Sequence, residues 1–128
     1  MKFLWFAPFL VSLAGAEAQE LEYGEAEFFL SCAECHGSYG RGDGTLAQRL
    51  GIEASDLTAL QAQNDGEFPY WRVYSFIDGR HSRGDRPMPN FGTIFGERDL
   101  EQYGEEVGEA LTERRIHALT EYIRTLQQ

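Results

Sequence analysis

Spaced by their apolar positions, the residues of this chain fall into short helical stretches divided by glycine-rich and proline-rich loops. Leu21, Gly24, Phe28 and Cys32 recur at i, i+3, i+7 and i+11, one face of a helix predicted over residues 21–35. Glu20, Glu22, Glu25 and Glu27 crowd its first turns, where acid suits the positive helix end. Gly24 is a poor interior helix residue and makes sense where a second helix crosses closely. A short helical piece is predicted at residues 45–50, and Asp56-Leu57-Thr58 turns into another that ends near Asn64. Pro69 suits the first position of a further helix, whose apolar face is Trp71, Tyr74 and Ile77 or Val73 and Phe76, with Gly79 closing it. Residues 80–96 read as an extended loop, and residues 97–109 as a solvated acidic connector with one helical turn at 99–103. A last helix starts at Thr112 as N-cap. Ile116, Leu119, Ile123 and Leu126 form its stripe, with Tyr122 beside it. The pattern is that of an all-α chain.

The start of the chain has a different character. Lys2 precedes an apolar run over residues 3–14 and small residues up to Ala18, the layout of a signal peptide over residues 1–18, cleaved after Ala16 or Ala18. The run is shorter than the roughly 20 residues of a spanning helix and contains Pro8, so no membrane span is expected in the mature chain. Residues 19–128 then form one domain, exported to the periplasm. The formal net charge is −10 and the only lysine is Lys2, a balance that disfavours nucleic acid as a partner.

The chemistry concentrates in Cys32-Ala33-Glu34-Cys35-His36. Two thiols two residues apart, with a histidine directly after the second, are the layout for covalent attachment of haem c: Cys32 and Cys35 add across the two vinyl groups, and His36 becomes the proximal iron ligand. A structural zinc site wants about four ligands, usually from two such pairs, and there is no second pair. A thioredoxin-like motif belongs in a strand–helix–strand unit; an exported disulfide leaves His36 unexplained. The glycine-rich loop at residues 37–44 lacks the Walker lysine and reads as backbone wrapped closely around a flat cofactor, with Arg41 or Arg49 as partners for its propionates. Pro87 and Pro89 stiffen the backbone on either side of Met88. Met88 is the only methionine beyond the signal segment and the candidate distal ligand, with His81 and His117 as the other candidates. The metal ligands expected are therefore His36 and Met88, with Trp71 and Tyr74 as pocket wall.

With these pieces placed, the chain resembles the single-haem class I cytochromes c of bacteria. Gly24 and Phe28 before Cys32, the final helix with Ile116, Leu119, Tyr122 and Ile123, and Met88-Pro89 followed by Phe91-Gly92 carry the likeness. The resemblance implies a cytochrome c fold: three to five short helices wrapped around one covalently bound haem, the N- and C-terminal helices crossing, a glycine at the crossing and an aromatic pair locking it. It implies a non-enzymatic electron carrier. Two departures stand out. The family often has a proline after the glycine-rich loop whose carbonyl accepts from the proximal histidine, and Leu50-Gly51-Ile52 has none. The lysine ring through which mitochondrial-type members dock is absent as well. The expected function is one-electron transfer between periplasmic redox proteins, transient or dedicated. The alternatives are a haem c subunit of a periplasmic dehydrogenase or oxidase complex, and a ligand-binding haem sensor or enzyme with an open sixth position. Arg72, Arg80, Arg83 and Arg86 are expected to form a less negative patch for an acidic partner.

Overall fold

The stripe that begins at Leu21 sits on a helix longer than the spacing predicts. In a computed structural model that describes residues 14–82 and 84–128, α1 spans Ala14–Ser31 and is followed by the short α2, Ala33–His36. Then come α3 (Thr45–Leu50), two 3-10 turns (Leu57–Ala59 and Ala62–Asn64), α4 (Tyr70–Asp78), α5 (Phe91–Tyr103) and α6 (Glu105–Thr125). Among the described residues there is no strand, so the chain is all-α as expected. The helices number six rather than three to five. None of the described helices is long and apolar enough to cross a membrane. Of the segment expected to be a signal peptide, residues 1–13 lie outside the described residues.

Helices α1, α5 and α6 pack around Phe28, Phe95, Ile116 and Leu119, all fully buried, and α4 adds Val73 and Ile77. Burying a phenylalanine of this kind contributes about 2–3 kcal/mol. Gly24 marks the closest approach of α1 to α6: a Cβ there would run into the Ala118 carbonyl and come within 3.1 Å of Tyr122 Cβ. One turn on, the rings of Phe28 and Tyr122 meet at 5.3 Å.

Two expectations are corrected in the second half of the chain. The loop after α4 ends at Asn90, because Phe91 and Phe95 stand at i, i+4 and pack on one another at 5.4 Å, opening α5 where a loop to residue 96 was expected. The acidic connector is helical too. Glu105 and Glu106 occupy the first turn of α6, where negative charge is favoured, so this helix starts well before Thr112. Instead of capping, Thr112 is buried inside α6, where it donates to the Gly108 carbonyl at 3.0 Å and to Asp99 Oδ2 at 3.2 Å.

A buried ion cluster ties these three helices together. Arg115 donates from Nη1 to Glu27 Oε2 at 2.6 Å and from Nη2 to Asp99 Oδ1 at 2.9 Å. Glu27 also accepts from the Ser31 hydroxyl at 2.7 Å. Glu27 is 4% exposed and Asp99 1%, so Arg115 neutralises charge that water does not reach.

Candidate functional site

Five separated segments converge on one cavity of about 220 Å³. Cys32 and His36 reach it from the α1–α2 junction, Leu57 and Leu60 from the first 3-10 turn and its flank, and Ile123 from α6. Helix α4 supplies Arg72, Val73, Phe76 and Ile77, and the loop before α5 supplies Met88. Its walls are almost wholly apolar. Arg72 is the one charged side chain lining them, and it is exposed.

Cys32 closes the α1 ladder, with its N–H donating to the Phe28 carbonyl at 2.8 Å, and its own carbonyl accepts from His36 N–H at 2.9 Å. A single turn of backbone therefore carries both side chains to the cavity. Its thiol is 5% exposed. Burial, with the negative charge of Glu27 adding to it, pushes this thiol up to about 12, so at neutral pH it is a protonated, weakly nucleophilic group. Cys35 is half-buried on α2 and does not line the cavity.

His36 is oriented by the main chain. Its Nδ1 lies 3.0 Å from the Ser55 carbonyl oxygen. A carbonyl can only accept, so Nδ1 carries a proton, and in a neutral imidazole Nε2 is then the nitrogen left to bind a metal. The main-chain acceptor for His36 is thus at Ser55 rather than within residues 50–52. It escaped the sequence reading because a main-chain acceptor leaves no side-chain signature. The turn that presents Ser55 is fixed from the next residue: Asp56 Oδ1 accepts from Thr58 N–H at 2.9 Å and Thr58 Oγ1 at 2.7 Å. These two bonds hold the Asp56 carboxyl below the usual carboxylate range.

The remaining candidates are placed as follows. Trp71 is 73% exposed and clusters with Tyr70 and Tyr74 on the other flank of α4, so neither Trp71 nor Tyr74 lines the cavity. Of the two apolar faces offered for α4, Val73 and Phe76 turn to the cavity, joined there by Ile77 from the other face. His81 is an exposed loop residue. His117 is exposed on α6, with Nδ1 at 2.5 Å from the Tyr70 hydroxyl. Burial, followed by the negative charge of Glu121, pushes Tyr70 up to about 12. The loop glycines make close approaches to the chain itself: a Cβ at Gly42 would meet the Ala54 carbonyl, and one at Gly44 the Cys35 backbone. Arg83 lies outside the described residues.

Among the described residues no group of three or more His, Cys, Asp and Glu side chains is arranged to hold a metal ion. The cavity instead brings together one imidazole, one thioether and one thiol in apolar surroundings. This donor set would fit a metal cofactor held by nitrogen and sulfur, with Cys35 close by on the same turn. Set against models of known families, curated proteins and solved structures, the chain finds no match.

Proposed function

We propose that this chain is an exported c-type haem protein that carries single electrons between redox proteins in the periplasm. The observation that carries the reading is the convergence of Cys32 and His36 from one turn and Met88 from a distant loop on one apolar cavity. When bound, the haem iron supplies the one-electron ferric–ferrous couple, at a potential that His/Met ligation raises.

The chain's residues account for the rest. Cys32 and Cys35 hold the ring covalently. His36 offers Nε2 because the Ser55 carbonyl holds the proton on Nδ1, and Met88 offers its sulfur from the loop before α5. Val73, Ile77, Leu57 and Ile123 keep water from the metal, which limits reorganisation when the charge changes. Phe76, 57% exposed, leaves one side of the cavity close to solvent, where a partner docks for electron transfer.

Arg72 at the rim is free to meet an acidic partner, whereas Arg86 is half-buried and engaged with Phe76 and Ser82. The docking patch is therefore narrower than four arginines.

The test is the absorption spectrum of the reduced, haem-loaded protein before and after carbon monoxide. An unchanged spectrum in the wild type with a clear shift in Met88→Ala is expected. A wild type that shifts as readily as Met88→Ala refutes closed His/Met ligation and replaces the carrier with a ligand-binding protein.

A further inference from the structure

Residues 80–90, which deliver Met88, contain no helix or strand among those described. Besides the Arg80–Asp78 pair and the Ser82 N–H on the Gly79 carbonyl at 3.0 Å near its start, the segment is attached to the rest of the fold through Arg86. Its Nη2 donates to the Phe76 carbonyl at 2.5 Å and its Nη1 to Ser82 Oγ at 3.1 Å. The guanidinium carbon stands 4.5 Å from the centroid of the Phe76 ring. Phe76 is in the last turn of α4, where carbonyls lack intrahelical donors. Gly79 N–H satisfies the Ser75 carbonyl at 3.0 Å, and Arg86 takes the next one. Gly79, at φ 65°, leaves the room for this arrangement: a Cβ there would come within 2.6 Å of Arg86 Nη1.

The clamp is coupled tightly to Met88. Only Pro87, with its fixed φ, separates the two residues, so the backbone between the clamp and the ligand-bearing residue has little torsional freedom. Phe76 is gripped by Arg86 at both its carbonyl and its ring, and the same side chain lines the cavity.

From this geometry we infer that Arg86 is a positioning residue: it clamps the loop to the end of α4 and so holds Met88 at the cavity, closing the site to exogenous ligands. The inference rests on the proposed haem ligation. With Arg86 removed, the loop stays connected but the fraction of molecules with Met88 swung away rises. Loss of one charge-assisted hydrogen bond shifts such an equilibrium by at least about tenfold.

The experiment uses the haem-loaded protein and reads carbon monoxide affinity of the reduced form and imidazole affinity of the oxidised form. It compares wild type, Arg86→Ala, Arg86→Lys, Arg80→Ala and Met88→Ala. Arg80 belongs to the same loop and pairs with Asp78 at 2.6 Å, so Arg80→Ala reports general loosening. The expected result is a closed wild type and a rise in both affinities of about tenfold or more in Arg86→Ala. Arg86→Lys, which keeps a cation over Phe76, lies in between, and Arg80→Ala stays near wild type. A closed wild type with an equally closed Arg86→Ala overturns the clamp while leaving Met88 ligation standing. Equal opening in Arg80→Ala and Arg86→Ala overturns the assignment to Arg86. A wild type as open as Met88→Ala overturns the ligation reading and the clamp with it. Arg86→Lys decides between the outcomes if Arg86→Ala does not fold, because wild-type affinities there with the cation and its reach altered overturn the clamp.

Discussion

Replacing Arg115 by methionine keeps most of the packing volume and removes the one cation between two buried carboxylates. Glu27 and Asp99 would keep only hydroxyl donors, from Ser31 at 2.7 Å and Thr112 at 3.2 Å. Breaking a buried ion pair from one side costs about 3–5 kcal/mol, since the remaining charge stays desolvated. Arg98 Nε lies 3.8 Å from Asp99 Oδ1 but is half-exposed, so it offsets only part of the loss. The expectation is therefore the lower end, about 3 kcal/mol. Urea unfolding at pH 7 measures it, and the deficit should be nearly the same at low and high salt because buried pairs are weakly screened. Combining Arg115→Met with Glu27→Gln and Asp99→Asn removes all three charges and should recover at least half of the loss. A deficit below about 1 kcal/mol, the range of exposed pairs, would refute the argument that this cluster is a buried joint between α1, α5 and α6.

Other substitutions probe other parts of the fold. Gly24→Ala sets a Cβ against the Ala118 carbonyl and should cost about 1–3 kcal/mol through overpacking; a thermal midpoint equal to wild type would show that α1 and α6 separate freely. Gly79→Ala should cost about 1–2 kcal/mol from its left-handed backbone, measured by urea unfolding, and should loosen Arg86 as well. In the chain with free thiols, Cys32 is raised by burial from 9.0 to about 12. Its contribution to stability is therefore fully present below pH 9.0 and lost as pH rises towards about 12. Urea midpoints should fall over that window and fall less in Cys32→Ala; parallel curves would contradict the burial argument. At pH 8 the same shift lowers the thiolate fraction of Cys32 about a thousandfold relative to an ordinary thiol, so alkylation mapped by mass spectrometry should mark Cys35 first.

The regular parts of the fold were legible wherever a local signal was enough. The bounds of α3 and the closure of α4 at Gly79 follow from short-range pattern and turn chemistry, and Gly24 pointed to a helix contact. Only the last turn of α5, residues 99–103, was expected; its start was missed because residues 80–96 read as one extended loop around Pro87 and Pro89, whereas Gly92 in fact packs against Asp78. The start of α6 was missed because Thr112 read as an N-cap following an acidic connector, whereas it lies inside the helix, bonded to an Asp99 that Arg115, sixteen positions on, also holds. At the site, Cys32, His36 and Met88 were singled out from motif and context, and they line one cavity. Which face of α4 turns inward was not decidable from a helix apolar on two sides, and the Ser55 carbonyl had no residue type to announce it.

The wall of the cavity at residues 55–61 owes its position to a residue far along the chain. Gln127 Nε2 donates to the Leu57 carbonyl at 2.7 Å and its Oε1 accepts from Gln61 N–H at 2.9 Å, across seventy and sixty-six positions. Gln128 N–H adds a bond to the Thr58 carbonyl at 3.0 Å. The turn bearing Leu57, and with it the Ser55 carbonyl that aligns His36, is thus fastened by a residue that does not itself line the cavity, so a change at Gln127 would reach the cavity wall through the main chain.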